Sequence, residues 1–293
     1  MISVSQAIQA LFDLVDPTGI ELCSLKQAHG RVLAQNAVAQ RNQPPFAASS
    51  MDGYAVKSED VATDATFEVV GEASAGHRFH APVMSDQAVR IFTGAPLPKG
   101  ADRVIIQEDV IRSGDIITLQ AGYDTKTYVR PAGVDFQVGA TLSAPRRLSP
   151  RDIALLASMN VPETRVYKKP VVALISTGDE LVMPGEVPSE DQIIASNTFG
   201  LYAQLTAWGA HPRILPIAKD NIASIQTAFD LASDADLIVT IGGASVGDHD
   251  LVGAAARDMG LEQKFYKVRM RPGKPLMSGL LGKIPMIGLP GNP

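Results

Sequence analysis

The stretch DLIVTIGGASVGDHD, residues 236–250, carries the pattern on which the fold interpretation rests. Its apolar residues run without alternation from Leu237 to Ile241, which is typical of a parallel strand buried on both faces. Two glycines follow, and the polar residues after them suit the first turn of a helix beginning near Asp250. The sequence therefore predicts a strand that passes through a glycine-rich loop into a helix.

The same alternation of strands and helices continues on both sides of this stretch. We expect Asn197 and Asp220 to cap the two helices that precede it, and Gly209 to end the first of them. Alternating strands and helices predict a parallel α/β sheet with right-handed crossovers, whose ligands bind beyond the carboxyl ends of the strands. The further strands and helices are predicted at 170–177, 197–208, 213–218, 220–233 and 264–270.

The part of the chain before this region has a different residue pattern. Between residues 41 and 147 short β-type runs alternate with Gly, Pro and Asp turns, and helical periodicity is nearly absent. Predicted helices flank it, one capped by Ser3 with Gln6 and the other by Ser149. We therefore predict a small all-β unit inserted into another domain.

The composition excludes several classes of protein. The chain has 293 residues, 45% of them apolar and 19% charged, which predicts about two folded domains. A formal charge of −5 argues against nucleic-acid binding, and a single cysteine, Cys23, excludes an internal disulfide or a thiolate metal cluster. No apolar run approaches the ~20 residues of a membrane helix, and no signal peptide is evident. We expect a cytoplasmic protein that binds neither nucleic acid nor membrane.

Residues suited to binding an anion or a metal follow each predicted strand of the α/β region. Backbone N–H groups of a glycine loop and a hydroxyl at a helix N-terminus favour an anion. Mg²⁺ commonly uses one or two carboxylates together with substrate phosphates. The sequence thus predicts a phosphorylated ligand with a divalent ion. The segments concerned are Thr177-Gly178-Asp179-Glu180, Lys219-Asp220, Gly242-Gly243-Ala244-Ser245, Asp248-His249-Asp250 and Arg271-Pro272-Gly273-Lys274-Pro275.

Each of these features also has a purely structural interpretation. The glycines could form a tight strand–helix turn, Asp220 could be a plain N-cap, and Asp248 and Asp250 could be ordinary first-turn carboxylates. Lys267 and its basic neighbours could each be a solvated cation. Grouped beside a proline-stiffened turn, however, these cations suit a compact oxyanion.

Two further groups of residues leave alternatives open. In the β unit, Asp52-Gly53 and Thr93-Gly94 could be hairpin turns, and the segment from Arg130 to Asp135 could be an ordinary loop. The five histidines show no metal-ligand spacing, so no zinc site is predicted.

Seven motifs in one order resemble the MoeA/gephyrin family of molybdopterin molybdenumtransferases, and the resemblance covers essentially the whole chain. One departure is Arg271, where family members often carry Lys; the charge is kept, but its geometry differs. The motifs are SSMDGYAV (49–56), FTGAPLPKGADRVIIQED (92–109), VRPAGVDFQVG (129–139), STGDEL (176–181), IGGASVGDHD (241–250), RPGKP (271–275) and GLPGNP (288–293).

The resemblance implies an α/β multidomain fold. It combines a MogA-like α/β/α parallel-sheet molybdopterin-binding domain with an inserted all-β domain and a small helical or linker domain. The implied boundaries are 1–45 with 138–168 for the helical domain I, whose first helix is allowed to pack on the α/β domain. The β domain II then spans 46–137 and the α/β domain III spans 169–293. The family's C-terminal β domain IV is expected to be absent, and domain III to be incomplete.

The resemblance also implies the chemistry and the residues that perform it. Adenylylated molybdopterin and molybdate are the implied substrates, AMP is the implied leaving group, and Mg²⁺ is the implied cofactor, with Asp220 and Asp250 as its ligands. The catalytic positions that match are Asp52, Thr93, Asp135, Glu180, Lys267, Arg271 and Lys274. The cofactor-binding positions are Thr177, Gly178, Asp179, Gly242, Gly243, Ser245, Asp248, Pro275, Pro290, Gly291 and Asn292.

Partners follow from the same resemblance. It implies a homodimer whose active site lies at the subunit interface, and a molybdopterin adenylyltransferase as the upstream partner. Two alternatives remain open at this point. One is that the chain is itself a molybdopterin adenylyltransferase, and the other is a non-catalytic scaffold of the gephyrin type.

Overall fold

A computed structural model describes residues 1–243, 251–271 and 273–291. The chain divides into two compact units. Unit 1 contains Met1–Leu22, Gly30–Ala34 and Arg165–Pro293, and unit 2 contains Cys23–His29 and Gln35–Thr164. The three domain boundaries predicted from the sequence stay predictions.

The helices and strands are as follows. The α-helices are α1 (Val4–Phe12), α2 (Leu25–Ala28), α3 (Pro150–Ser158), α4 (Ser196–Trp208), α5 (Ile222–Leu231) and α6 (Leu251–Asp258). The strands before α3 are β1 (Ile20–Ser24), β2 (Val32–Leu33), β3 (Ala37–Val38), β4 (Ala48–Ser49), β5 (Gly53–Val56), β6 (Thr66–Ala73), β7 (Gln87–Ile91), β8 (Arg103–Ile106), β9 (Val110–Ser113), β10 (Ile116–Leu119), β11 (Val129–Arg130), β12 (Thr141–Leu142) and β13 (Arg146–Arg147). The strands after α3 are β14 (Glu163–Tyr167), β15 (Val171–Ser176), β16 (Leu181–Val182), β17 (Ile193–Ile194), β18 (His211–Ile214), β19 (Leu237–Ile241), β20 (Leu261–Lys267), β21 (Pro275–Leu281) and β22 (Ile284–Leu289).

A six-stranded sheet of order β18-β15-β19-β22-β21-β20 forms the centre of unit 1. Strands β18, β15, β19 and β22 pair in parallel, as the sequence predicted. The last two pairings are antiparallel, which the sequence interpretation missed. Leu281 pairs with Ile284, so a two-residue turn joins β21 to β22 and imposes that direction. Strand β20 therefore runs parallel to β22, and its carboxyl end lies at the same edge of the sheet.

Helices cover both faces of this sheet. Ala173 and Ile175 pack into a core with α5 and α6, whereas Val172 and Leu174 on the opposite face pack against residues of α4. Burial on both faces explains why the apolar residues of β15 do not alternate with polar ones. A strand was predicted at 213–218, but β18 spans His211–Ile214. Pairing does not continue past this point because Pro216 has no N–H to donate.

The first helix packs against the edge strand of the same sheet. Ser3 and Gln6 form the predicted capping box. Ala7 lies in a small core with Phe265 and Val268. Ile8 of this helix is 50% exposed. None of the described helices has both the length and the apolar character that a membrane span requires.

Unit 2 contains a second six-stranded sheet, of order β8-β5-β7-β6-β10-β9. Tyr54 and Val56 belong to the core on one face, and Ala55 belongs to the core on the other. Gly53 begins β5 and pairs with both neighbouring strands, so the hairpin-turn interpretation of Asp52-Gly53 is wrong. The all-β character predicted for this part of the chain is confirmed.

Helix α3 of unit 2 depends on a buried carboxylate. Asp152, which is 5% exposed, accepts hydrogen bonds from the N–H and hydroxyl of Ser149 (2.8 and 2.7 Å) and from Arg146 Nε (2.9 Å). The hydrogen bonds from Ser149, and then the charge of Arg146, lower the pKa of Asp152. Its stabilising contribution is therefore present above the ordinary aspartate pKa and is lost as pH falls through the lower folded pKa.

Asp152→Ala is expected to lower the free energy of unfolding by about 1–2 kcal/mol at neutral pH, because the helix loses its capping box. Urea unfolding of both proteins checks this, and the difference between them should disappear in strong acid. A difference that persists unchanged in acid would contradict the role given to the ionised carboxylate.

Candidate functional site

A cleft of about 740 Å³ opens in unit 1 where strands β15, β19 and β22 end. This is the edge of the sheet at which the sequence predicted a ligand. Nine of the predicted site residues line the cleft: Thr177, Gly178, Glu180, Asp220, Gly242, Gly243, Pro275, Pro290 and Gly291.

The backbones of three strand ends approach one another closely in this cleft. Thr177 N–H donates to Ile241 O, and Gly242 N–H donates to Leu289 O, both at 3.1 Å. Gly242 has φ +93°, and a Cβ there would lie 2.7 Å from Thr177 O. A Cβ on Gly291 would lie 3.0 Å from Gly242 Cα. A side chain at Gly242 would clash with backbone and one at Gly291 would be tight, so the glycines let the strand ends lie close together.

A buried hydroxyl without a partner also lines this cleft. Thr177 is 2% exposed, and its Oγ1 has no hydrogen-bond partner among the described residues. Buried polar groups in proteins are almost always hydrogen-bonded. The hydroxyl of Thr177 is therefore a buried polar group whose hydrogen bond is not supplied by the described residues.

The side chains of Asp179 and Asp220 accept hydrogen bonds from each other's backbone N–H groups, and Asp220 does not cap helix α5. Asn221, whose side chain accepts from Ser224 N–H at 2.9 Å, is the N-cap of α5, so the capping role predicted for Asp220 is wrong. Asp179 N–H donates to Asp220 Oδ2 at 3.4 Å, and Asp220 N–H donates to Asp179 Oδ1 at 3.3 Å. Asp220 therefore lines the cleft without capping a helix.

The donor set of this cleft fits Mg²⁺. Glu180 and Asp220 supply carboxylate oxygens from two different loops. Within the described ranges no three acidic, histidine or cysteine side chains form a metal-binding cluster. Mg²⁺ is usually bound by one or two carboxylates while substrate phosphates and waters fill its other positions. Two carboxylates beside a ligand cleft therefore suit this ion better than a complete protein cage would.

The predicted cations lie next to this cleft rather than in it. Arg271 and Lys274 line a second cleft of about 570 Å³, to which Arg269 also contributes. Pro275 lines both clefts, and it pairs with Lys267 in the sheet. The structure thus places positive charge beside the phosphate-type cleft, as predicted.

The other predicted residues, Asp52, Thr93 and Asp135, lie in three separate segments of unit 2. Asp52 Oδ1 accepts hydrogen bonds from the N–H and hydroxyl of Thr93, at 2.8 and 2.7 Å. These two bonds, and then the charge of Arg90, lower the pKa of Asp52. Asp135 forms an ion pair with Arg130 at 2.6 Å, in the segment where β11 pairs with β4. Asp52 is therefore an ionised, fixed carboxylate at neutral pH.

Comparison with known proteins identifies both parts of the chain. The family described as "MoeA N-terminal region (domain I and II)" matches residues 2–160, and the one described as "Probable molybdopterin binding domain" matches residues 173–293. The molybdopterin molybdenumtransferase of Haemophilus influenzae is 36% identical over all of this chain and 73% of its own length. The chain belongs to the molybdopterin molybdenumtransferase (MoeA) family.

Further members of the MoeA family support this assignment. The molybdopterin molybdenumtransferase of a Nostoc species is 35% identical over the whole chain and 70% of its own length. The crystal structure of a molybdopterin biosynthesis MoeA protein from Pyrococcus horikoshii superposes with a TM-score of 0.88 at 30% identity. That alignment covers the whole chain and 75% of the solved structure. The MoeA-like multidomain α/β fold predicted from the motifs is confirmed.

One residue of this MoeA-family cleft was misinterpreted from the sequence. Helix α4 begins at Ser196 after Ala195, so Asn197 lies inside the helix and is not its cap. Its Nδ2 instead donates to Gly291 O at 2.9 Å. The polar residue at the start of a helix beside a strand end was a signal for this contact, but its distant partner could not be read from the sequence.

Some predicted residues of the family motifs lie outside the described residues. They are Ser245, Asp248, Asp250 and Asn292.

Proposed function

We propose that the chain inserts molybdate into adenylylated molybdopterin and releases AMP, in a reaction that depends on Mg²⁺. Membership of the MoeA family places it in molybdenum cofactor biosynthesis as a molybdopterin molybdenumtransferase. The observation that carries the finer proposal is the cleft itself. It joins glycine-rich strand ends, a buried hydroxyl without a described partner and two carboxylates, and positive charge lies next to it.

The cleft suits the phosphate portion of such a substrate. The N–H groups of Gly243 and Gly291, which donate to no described residue, can donate to phosphate oxygens. Glu180 and Asp220 would hold Mg²⁺ against the same phosphates. When bound, this ion supplies neutralisation of the charge that develops as the phosphoanhydride bond breaks. These residues would therefore bind and orient the adenylylated end of the substrate.

The neighbouring cationic cleft suits molybdate. Molybdate is a compact dianion, and Arg271 and Lys274 line this cleft together with Arg269. Cations that already lie at one cleft lose little entropy when they bind an anion. Because Pro275 borders both clefts, molybdate held here would lie close to the end of the substrate that must receive it.

Two proposals concern partners. We propose that the chain works as a homodimer in which Asp52, Thr93 and Asp135 of one subunit face the α/β cleft of the other. We also propose that a molybdopterin adenylyltransferase supplies the adenylylated substrate.

Asp220→Asn is expected to remove the dependence of substrate binding on Mg²⁺. In calorimetric titration with adenylylated molybdopterin, we expect Mg²⁺ to strengthen binding to the unaltered chain by at least about tenfold, or 1.4 kcal/mol. The variant should bind equally with and without Mg²⁺, because its amide is a poorer ligand for a hard cation than a carboxylate is.

Asp230→Asn is the matched control. Asp230 is exposed on helix α5, and its substitution changes the net charge by the same amount as Asp220→Asn. It should bind like the unaltered chain. A folded chain that does not bind the substrate would contradict the proposed function. Formation of adenylylated molybdopterin from ATP and molybdopterin would instead establish the adenylyltransferase alternative.

A further inference from the structure

The carboxylate of Asp52 is anchored through only one of its two oxygens. Oδ1 accepts both hydrogen bonds from Thr93. Oδ2 accepts none from the described part of the chain, which includes all of unit 2. A carboxylate fixed in this way has one oxygen that determines its place and another that is free to meet a reacting group. The direction of Oδ2 then depends on the contacts that fix the backbone at Asp52.

Gln107 bonds to the Asp52 carbonyl, and Arg90 links Gln107 to the next residue, Gly53. Gln107 N–H donates to Asp52 O at 3.2 Å. Arg90 Nη1 donates to Gly53 O at 3.2 Å, and Arg90 Nη2 donates to Gln107 Oε1 at 2.7 Å. The guanidinium therefore bridges the residue after Asp52 and the residue that binds its carbonyl.

The guanidinium also makes cation–π contacts with two aromatic rings. Its Cζ lies 5.0 Å from the ring centre of Tyr54 and 4.7 Å from that of Phe92. Tyr54 follows Gly53 in β5, and Phe92 precedes Thr93, so the two rings come from the two segments that meet at the Asp52–Thr93 bond. Cation–π contacts with two rings restrict the guanidinium and therefore the direction of its N–H groups.

We infer that Arg90 is a positioning residue for Asp52, and that its guanidinium fixes the peptide from which the free oxygen Oδ2 reaches the substrate. This role rests on the proposed function, in which Asp52 contributes to molybdate insertion. Arg90 donates to a backbone carbonyl and to a neutral amide, so it does not need to touch the substrate. One more titratable group joins the network, because Gln107 Nε2 donates to Glu108 Oε1 at 3.2 Å.

Arg90→Gln and Arg90→Lys separate the charge of this residue from its geometry. Glutamine removes both the charge and the bridge. Lysine keeps a positive charge, but its ammonium cannot donate as a planar fork between two rings. Both variants should lower kcat about 10- to 100-fold with little change in KM for adenylylated molybdopterin, since small misplacements of a catalytic group cost this much.

The titration of Asp52 provides a readout that does not require turnover. Carboxyl carbon NMR of the full chain follows this titration, and the Asp52→Asn spectrum assigns the signal. Arg90→Gln should raise the pKa of Asp52, because a nearby positive charge is removed. It should also move the acid limb of the kcat/KM profile to higher pH. Arg90→Lys should move both much less.

Arg103→Gln is the matched control. Arg103 lies in the same sheet, with its Cζ 5.6 Å from the ring centre of Tyr123, but it donates to Asp124 O rather than to Gly53 O and Gln107 Oε1. It should lower stability without moving the titration of Asp52 or the pH profile. If Arg90→Gln fails to fold, the Arg90→Lys kinetics carry the test.

The outcomes for Arg90 and for the proposed function can be distinguished. If the Arg90→Gln chain keeps the titration and the pH profile of the unaltered chain, Arg90 has no positioning role, whatever the activity. If the unaltered chain shows no molybdate insertion with all substrates present, the proposed function fails. The NMR titration would then still decide whether Arg90 controls Asp52.

Discussion

Gly53→Ala is expected to destabilise the β sheet of unit 2 by about 4 kcal/mol or more, the range of severe core substitutions. A Cβ at this position would lie 1.9 Å from Ile105 O and 2.8 Å from Ile105 C. These atoms belong to the backbone of β8, so no side-chain rotation relieves the clash. Strand β5 lies between β7 and β8, and moving it away from β8 would press it against β7 or break the ladder.

Urea unfolding and hydrogen exchange measure this effect. Exchange should accelerate in peptides that cover β5, β7 and β8, because their ladder hydrogen bonds are the ones disturbed. Gly122→Ala is the control in the same unit. Gly122 has φ +83°, and no described heavy atom would lie within 4 Å of a Cβ at this position, so the control measures backbone strain alone. That strain costs about 1 kcal/mol. Equal unfolding midpoints for the two variants would contradict the close approach of β5 to β8.

Features determined by neighbouring residues were predicted well. The unbroken apolar run of β15 and the capping box at Ser149 and Asp152 both rest on contacts within a few residues. The position of the ligand cleft was also predicted, because parallel strands place their carboxyl ends at one edge. Local pattern and topology indicated seven of the residues in this cleft, and the family resemblance added Pro290 and Gly291.

Features that depend on distant partners were not predictable in the same way. Asp52 and Thr93 are 41 residues apart, and Asn197 and Gly291 are 94 residues apart. The sequence indicated these residues, but not which of them would bond, because strand register is set by the whole sheet. The prediction of the N-cap of α5 was wrong for another reason. Asp220 and Asn221 are adjacent residues with similar capping chemistry, and only the backbone path decides between them.

The same contrast applies to the glycines. A turn was one of the alternatives left open for Gly53, because an Asp-Gly pair is a common hairpin signal. Its actual constraint is the passage of a neighbouring strand, which no local pattern reveals. Gly242, by comparison, was placed in a ligand loop from its position after a strand, and the structure shows the crowding that excludes a side chain there.

Gly242→Ala is expected to weaken binding of adenylylated molybdopterin about 100-fold or more, which corresponds to about 2.7 kcal/mol. Alanine would have to adopt φ +93° with its Cβ 2.7 Å from Thr177 O. Because that oxygen belongs to the backbone, either Thr177 or Gly242 must move. Both residues line the cleft, and Gly291 packs against Gly242 Cα, so all three strand ends would shift relative to the ligand.

Calorimetric titration with the same ligand measures the loss, and Gly260→Ala is its matched control. Gly260 has φ +87° in the same unit, but no described heavy atom lies within 4 Å of its Cβ position. Alanine there should cost about 1 kcal/mol of stability through backbone strain while binding stays unchanged. If both variants bind as tightly as the unaltered chain, the ligand does not contact the strand ends. If both lose binding equally, the loss follows from stability alone, and the crowding of Gly242 against Thr177 is not what shapes the cleft.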